Sequence, residues 1–328
     1  MTGRWSASAA VLAALALVPI AGASATAQSD YPNRPIQLAV PYGPGGVADV
    51  GMRIMAEKLS IRLKQNIVIE NRPGAAGIVA AKAVATAAPD GYNVLMTGNN
   101  YAIAVALFKS LPYDIIKDFA PTSTVSFFDL LIVANATSQL KSLPDVIKAA
   151  KANPGKLNIG TINPGSTQNL AAELFKNVAG IQVQIVPFRT SADMATALLR
   201  GDLDVMFEFY AAGHGLLSDK KVVALASTGP KRTAYLPEVP TAIEGGLKDF
   251  EVVSWNGLSV PAATPKAVID TLVKGLNDVL PDPSVQEKSK TLGMEMRGGT
   301  PAEMDKRMKD DIVKWGAVIE KAGIPKRD

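Results

Sequence analysis

The chain has 328 residues, a formal net charge of +4 at pH 7, one histidine and no cysteine. The lack of thiols excludes thiol catalysis and thiolate metal sites, and a zinc site would depend almost entirely on carboxylates. Charged residues of both signs are interspersed, without the Lys/Arg block or aromatic ladder that nucleic-acid binding needs. No G-x-S-x-G motif accompanies His214, so we predict no catalytic residue, no metal and no cofactor.

Residues 1–27 have the pattern of a secretory signal peptide. Arg4 precedes an apolar, alanine-rich stretch from about Ala9 to Ile20, and Ala25-Thr26-Ala27 provides a small-x-small cleavage site. The apolar stretch is short for a membrane span, so a retained anchor is the less favoured alternative. We expect export with cleavage near Ala27, which leaves about 300 residues, enough for two lobes.

A glycine-rich loop joins the first predicted strand to the first predicted helix. Ile36 to Val40 is an apolar run typical of a buried strand, and apolar residues recur with helical spacing over positions 52–63. The loop between them, Pro41 to Asp49, leaves backbone N–H groups at the positive end of the helix dipole, where glycine permits close approach. This pattern predicts an anion site.

The same loop also fits a dinucleotide fingerprint. Gly43 to Ala48 match G-x-G-x-x-G/A, and Glu70 ends the next apolar run, about where a ribose-binding acid would lie. Against this reading, Pro44 has no N–H to donate to a pyrophosphate, and free nicotinamide cofactors are not expected outside the cytoplasm. An exported dinucleotide-binding oxidoreductase is therefore the less favoured alternative.

The following segments continue a βαβαβ order. Residues 78–88 are predicted as an alanine-rich helix and residues 92–96 as a strand, separated by Pro89-Asp90-Gly91. This order predicts a parallel sheet with right-handed crossovers. Because ligands bind at the carboxyl ends of such strands, we expect Asn99 to lie beside the first loop, although an ordinary Gly-Asn turn is an equal alternative.

A second strand, glycine turn and helix begin after an apolar segment at residues 127–134. Leu157 to Gly160 is the predicted strand, Thr161 to Gln168 the turn, and Leu170 opens the helix. Ser166 or Thr167 fits the N-cap position, so the turn offers a second anion site or simply a capped helix.

The rest of this second unit supplies further candidates for the cleft. Predicted strands at residues 182–186 and 203–207 flank a helix at residues 191–200. The aromatic residues near their ends are either pocket walls or core. Arg189 is able to pair with a carboxylate, and Asp204 is expected near the cleft or the crossover. These aromatic residues are Phe188, Phe207 and Tyr210.

The last third of the chain is predicted to return to the first lobe. Residues 222–227 read as a strand, and residues 252–260 as an extended segment that crosses back. Thr300-Pro301-Ala302-Glu303 is a capping box that opens a packing helix. Nothing in this segment calls for chemistry.

Seven motifs in combination resemble a known family over essentially the whole mature chain. They are, in chain order, Tyr31 to Ile36; Val40 to Gly46 with Asp49; Val68 to Gly77; Ala88 to Tyr92; Asn153 to Leu157; Leu236 to Thr241 with Glu244 and Gly246; and Trp255. This set is similar to Bug-type substrate-binding proteins of tripartite tricarboxylate transporters.

The resemblance implies a periplasmic, non-enzymatic receptor with a type II periplasmic binding protein fold, in which two α/β lobes enclose a ligand cleft. Lobe 1 is expected at 30–128 plus 252–328, and lobe 2 at 129–251. The two loops are expected to grip a small carboxylate through backbone N–H groups, hydroxyls and bridging waters. The implied partners are that carboxylate and membrane permease subunits, and the chain is expected to be a monomer.

The predicted ligand-binding residues combine both lines of reasoning. They are Tyr42, Gly43, Gly45, Gly46, Asp49, Asn99, Thr161, Gly165, Ser166, Thr167, Gln168, Phe188, Asp204, Phe207 and Glu208.

The identity of the ligand stays open at this stage. Relatives often have Lys-Gly at Arg189-Thr190, Asp at Glu208 and another residue at Gly43. The aromatic candidates suit an aromatic or long apolar acid, whereas Asn99, Gln168 and Glu208 suit a hydroxylated or amino-bearing one. Di- and tricarboxylates, aromatic acids and amino acids are all candidates. A sensor for a membrane signalling partner is an alternative to transport.

Overall fold

The computed structural model describes residues 30–328, so the predicted signal peptide at residues 1–27 lies outside the described residues. Within that range the chain forms ten strands and ten α-helices. The strands are β1 (Ile36–Val40), β2 (Ile67–Asn71), β3 (Asn93–Gly98), β4 (Phe119–Asn135), β5 (Asn158–Ile162), β6 (Gln184–Phe188), β7 (Val205–Phe209), β8 (Val222–Ser227), β9 (Val253–Pro261) and β10 (Glu295–Met296). The helices are α1 (Val47–Leu63), α2 (Ile78–Ala85), α3 (Asn99–Leu107), α4 (Leu143–Ala152), α5 (Thr167–Ala179), α6 (Ser191–Arg200), α7 (Tyr210–Ser218), α8 (Lys266–Val279), α9 (Pro283–Lys290) and α10 (Pro301–Lys321).

Two parallel units make up most of the sheet, as the βα order of the sequence predicts. β1 pairs in parallel with β2 and β3, and β5 pairs in parallel with β6 and β7. The strand order is β2-β1-β3-β9-β4-β7-β5-β6, and β8 and β10 also pair with β4. Because parallel neighbours end at the same edge, the loops after β1 and β3 lie together, as do those after β5 and β7.

Strand boundaries differ from the sequence prediction in the second unit. β6 begins at Gln184, not Gln182, because the parallel ladder starts where the Gln184 N–H donates to the Leu157 carbonyl at 2.8 Å. β7 spans Val205–Phe209, later than the predicted 203–207. Glu208 therefore lies on the strand, one residue before its end, and not in the loop after it.

β4 is a single strand of 17 residues that runs through both halves of the sheet. Phe119 to Asp129 pair with antiparallel β9, and Leu130 to Ala134 pair with antiparallel β7. β9 in turn pairs with β3. β4 and β9 therefore connect the first parallel unit to the second, which is the role expected of crossover strands.

Three buried apolar clusters fill the two faces of the sheet. One contains Trp255 and Trp315 with residues of α3, α5 and α10; another lies under α1, α8 and α9; and the third lies under α6 and α7. The Trp255 indole also donates to Asp311 of α10 at 2.7 Å, which attaches that helix to β9. The capping box predicted at Thr300 and Glu303 is present at the start of α10. Among helices within residues 30–328, none combines the length and apolar character that crossing a membrane requires.

Asp129 lies where β4 changes partners. It is the last residue of β4 paired with β9, and the next residue, Leu130, pairs with β7. Burial, with added repulsion from Glu295 and Glu251, raises the pKa of the Asp129 carboxyl to about 7. A raised pKa means that the folded protein holds this proton more tightly than the unfolded chain does.

We expect the stability of the protein to fall between about pH 4 and pH 7 because of Asp129. The stabilisation is complete below the ordinary pKa of 3.8 and is lost as the pH rises through the folded value of about 7. Asp129→Asn removes this titration, so it should raise the free energy of unfolding at pH 8 and change it little at pH 4. Denaturant unfolding from pH 4 to pH 8 measures both effects.

Asp270→Asn is the control, because Asp270 is an exposed partner of Lys266 within α8 and such pairs contribute little. Parallel stability profiles for wild type and Asp129→Asn across this range would contradict the assignment.

Candidate functional site

The first glycine loop is braced by the carboxylate of Asp49. Its Oδ2 accepts from the Gly45 N–H at 2.8 Å and from Arg53 Nε at 2.9 Å. Its Oδ1 accepts from Asn71 Nδ2 at 2.8 Å, and the same amide donates to the Tyr42 carbonyl at 2.9 Å. Asp49 is 1% exposed, and all of these contacts lie within its own half of the molecule. The residue thus sets the shape of the loop.

The second loop has the same construction. Asn169 Oδ1 accepts from the Gly165 N–H at 3.1 Å, as Asp49 does from Gly45. In both loops the accepting residue lies in the third position of the helix, and the glycine has a positive φ, +84° at Gly45 and +81° at Gly165. Sequence reasoning missed Asn169, although the shared pattern Pro-Gly-x-x-x-Asp/Asn was visible in both loops.

These braces decide which loop N–H groups are available to a ligand. The Gly45 and Gly165 N–H groups, which the sequence suggested were free, are used internally. The first N–H groups of a helix lack intrahelical partners, and α1 begins at Val47, where the N-cap residue Gly46 provides no side-chain cap. At α5 the Ser166 hydroxyl accepts from the Asn169 N–H at 3.1 Å, so its own proton remains available for donation.

The loops after β1 and β3 form one wall of the site, and the loops after β5 and β7 form the other. Asn99 connects these two walls directly. Its Nδ2 donates to Thr167 Oγ1 at 2.9 Å, and its Oδ1 accepts from Ser254 Oγ at 2.9 Å. Asn99 opens α3 in the first unit, whereas Thr167 opens α5 in the second. The side chain is 4% exposed, so this contact is well protected. Ser254 on β9 was not anticipated, because its bond spans 155 positions of sequence.

Two further contacts join the walls beside Asn99. A Cβ at Gly165 would lie 2.7 Å from the Leu107 side chain, so the second loop packs closely on the end of α3. Arg327 donates to the Pro164 carbonyl at 2.5 Å. Its own backbone is bonded to Leu107 and Lys109, which anchors the C-terminal segment to α3.

Glu208 is the one acidic side chain buried at the second wall among the described residues of β7 and the loops after β5 and β6. Its Oε1 accepts from Gln168 Nε2 at 3.1 Å and from the Phe209 N–H at 2.8 Å. Only 2% of Glu208 is exposed. Burial raises the pKa of its carboxyl, and the nearby Ser191 hydroxyl, with the hydrogen bonds from Phe209 and Gln168, offsets part of that effect.

Not all predicted residues come together. Asp204 precedes β7 and accepts from the Asn158 N–H at the start of β5, at 2.7 Å. It therefore lies at the amino ends of the strands, opposite the edge that carries the loops, and not in the cleft; the next residue, Val205, pairs with the expected crossover strand β4. Phe207 is 0% exposed and packs among Phe175 and Phe250 in the core, so its ring is not a cleft wall.

The remaining predicted residues lie around the two loops or behind them. Tyr42 is 38% exposed at the start of the first loop, with Gly43 and Gly46 beside it. Thr161 is buried behind the second loop, where it accepts from Asn169 at 3.4 Å. Phe188 is half-buried against the cluster under α6 and α7.

Metal-binding clusters and cavities were the other features of the described chain that bear on a ligand site. Within residues 30–328, no group of three or more His, Asp or Glu side chains is arranged to hold a metal ion. A cavity of about 640 Å³ lies between the β4 segment 127–129, residues 230–235 and residues 286–297. Its lining does not include the predicted ligand-binding residues, so it is separate from the two loops.

A family model described as the tripartite tricarboxylate transporter family receptor matches residues 51–324. The chain belongs to this family. BugT of Bordetella pertussis is 32% identical over 309 residues, which is 93% of this chain and 95% of BugT. The family predicted from the sequence motifs is therefore confirmed, and it is a family of receptors.

Solved structures of the family share the fold. The periplasmic binding protein BugD is 31% identical, with a TM-score of 0.75 over 90% of this chain and 100% of BugD. An R. palustris protein with adipate is 31% identical, with a TM-score of 0.78 over 91% of this chain and 100% of its own. MatC from Rhodopseudomonas palustris with bound malate is 28% identical, with a TM-score of 0.72 over 88% and 100%. The predicted α/β periplasmic binding fold is confirmed.

We expect Asp49→Asn to loosen the first loop. Hydrogen bonds from Arg53, Asn71 and Gly45 outweigh the opposing effect of burial and lower the pKa of Asp49. Its contribution to stability is thus present at neutral pH and lost only as the pH falls through that lowered pKa. The substitution should cost about 1–3 kcal/mol at pH 7, measured by denaturant unfolding.

Asp310→Asn provides the matched control, because Asp310 pairs with Lys306 on the exposed face of α10 and should cost under about 1 kcal/mol. Equal losses for the two variants would show that Asp49 does not brace the loop.

Proposed function

We propose that this protein is an extracytoplasmic receptor that captures a small carboxylate between its two glycine loops and delivers it to a membrane permease. The observation that supports this best is the pair of identically braced loops, each opening a helix, brought together by the Asn99–Thr167 hydrogen bond. Free N–H groups and the positive ends of two helix dipoles favour a bound anion. Relatives with adipate and with malate support the same chemical class.

The proposed division into lobes follows the crossover strands. Residues 30–128 with 252–328 form one lobe and residues 129–251 the other. The change of partner on β4 at Asp129 and Leu130 agrees with the first boundary. Closure is then a hinge motion about β4 and β9, and the ligand favours the closed arrangement by its higher affinity for it. No covalent step is required.

The cellular setting completes the proposal. Residues 1–27 act as a signal peptide that is cleaved near Ala27, and the mature chain works in the periplasm as a monomer. The permease recognises the closed form. Support comes from the sequence pattern at the N-terminus and from the periplasmic relative BugD.

A thermal-shift screen of the mature protein tests the proposed function. It uses dicarboxylates, tricarboxylates, aromatic acids and amino acids, with NAD as a comparison. A ligand at about 100 times its Kd stabilises a protein by about 2.7 kcal/mol, so at least one carboxylate should raise Tm by several degrees. If NAD raised Tm and none of the acids did, the proposal would be overturned in favour of the dinucleotide alternative.

Ser166→Leu should abolish carboxylate binding and leave the fold intact. The leucine removes a hydroxyl donor and fills the mouth of the second loop, while loss of the cap costs about 1 kcal/mol. Isothermal titration measures the affinity and circular dichroism the fold.

Ser142→Leu is the matched control, because Ser142 caps α4 in the same way through the Asp145 N–H and lies outside the two loops. It should lose similar stability and keep wild-type affinity. If Ser166→Leu also kept that affinity, the second loop would not belong to the binding site.

A further inference from the structure

Glu208 lies where three helices of the second unit begin. Its Oε1 partner Gln168 is in the first turn of α5, and its other partner, the Phe209 N–H, belongs to the residue that precedes α7. Ser191, the first residue of α6, is near enough to act on the Glu208 carboxyl. The carboxylate is thus held at the carboxyl edge of the sheet, beside the second loop.

The two oxygens of Glu208 have different surroundings. Oε1 accepts two N–H hydrogen bonds, from the Gln168 side chain and the Phe209 backbone. Oε2 is buried and has no hydrogen-bond partner within residues 30–328. A buried acceptor without a partner is costly, and a carboxylate buried without a positive charge costs still more. Of the groups in this range that act on the Glu208 carboxyl, none is a cation.

The Glu208 carboxyl is joined through Gln168 to the helix start that contacts the opposite wall. Gln168 bonds Glu208, and the adjacent residue, Thr167, bonds Asn99 from the opposite wall. If the two loops hold a carboxylate, the bond to Gln168 sets Glu208 beside the second loop, where the other groups of that ligand would lie. A donor on the ligand would satisfy Oε2, and a positively charged donor would also balance the buried charge.

Two of the aromatic candidates, Phe207 and Tyr210, are used in packing. Phe207 is enclosed in the core with Phe175 and Phe250. Tyr210 is stacked with Tyr235 at a ring-centroid distance of 4.5 Å and also contacts His214. Their side chains face other aromatic rings, whereas Asn99 bonds Thr167 and Glu208 bonds the adjacent residue, Gln168.

We propose that Glu208 makes this receptor selective for carboxylates that carry an ammonium group, with a hydroxyl as the weaker substitute and an unsubstituted chain as the poorest ligand. The inference rests on the proposed function and specifies its substrate class. Glu208 binds the ligand amine through Oε2, while the two glycine loops bind the ligand carboxylate.

Matched ligand series test this selectivity directly by isothermal titration at pH 7.5. Succinate, malate and aspartate share a four-carbon chain and differ in the group at one carbon, as do glutarate, 2-hydroxyglutarate and glutamate at five carbons. Each step from hydrogen to hydroxyl to ammonium should tighten Kd, with roughly tenfold or more between the ends of a series. The ratios within a series cancel differences in chain length.

Glu208→Gln is the diagnostic variant because it keeps the shape of the side chain and removes its charge. It should weaken ammonium-bearing ligands at least roughly tenfold and leave the unsubstituted diacids unchanged or tighter. Glu57→Gln is the matched control, because Glu57 is an exposed partner of Lys288. It should leave all ratios at their wild-type values.

The outcomes separate this inference from the function on which it rests. If the unsubstituted diacids bound as tightly as aspartate and glutamate, the proposed selectivity for ammonium groups would be wrong. The proposed function as a carboxylate receptor would be unaffected. Preference for the unsubstituted diacids would also overturn the selectivity, because Glu208 would then disfavour the added hydroxyl or ammonium group. No binding by any acid, in these series or in the wider screen, would overturn the receptor itself. If Glu208→Gln does not fold, the wild-type series alone still decides.

Discussion

The site depends on one repeated interaction, a side-chain oxygen in the first turn of a helix that accepts from the N–H of a glycine four residues earlier. Asp49 holds Gly45 in this way, and Asn169 holds Gly165. In a loop with little side-chain packing, this bond restrains a backbone that glycine leaves free to move. The remaining N–H groups of the two turns therefore have set directions, which is what a preorganised anion site requires.

The long strand β4 gives these two loops their relation to each other. Its first part belongs to the ladder of β9 and its last part to that of β7, so one continuous strand spans both parallel units. The contacts of Asn99 with Thr167 and Ser254, and of Arg327 with Pro164, then join the walls on the loop side. The site is therefore defined by long-range contacts imposed on two locally built turns.

Local features of this design could be predicted from the sequence, and the long-range features could not. The strand, glycine loop and helix from Ile36 onward follow from periodicity and glycine content, as does the capping box at Thr300. The full length of β4 was missed because Thr122, Ser123, Thr124 and Ser126 look like loop residues. They are buried all the same, since Thr122 donates to the Leu258 carbonyl at 2.7 Å and Ser126 accepts from Asn256 at 3.1 Å. Asp204 was misplaced because it lies at the amino end of β7 with the predicted boundaries as well as the observed ones, whereas the two loops follow the carboxyl ends of the strands.

The hydrogen bonds that brace the two loops are distinct from those that hold Glu208. Neither brace involves the carboxylate of Glu208, which is held from the other side by Gln168 and Phe209. A change at position 208 therefore removes the bond to Gln168 but leaves the hydrogen bonds of both braces in place. The hydrogen bonds that shape the two turns and those that hold the Glu208 carboxylate are thus separate sets, so a substitution at position 208 does not require the braces to be rebuilt.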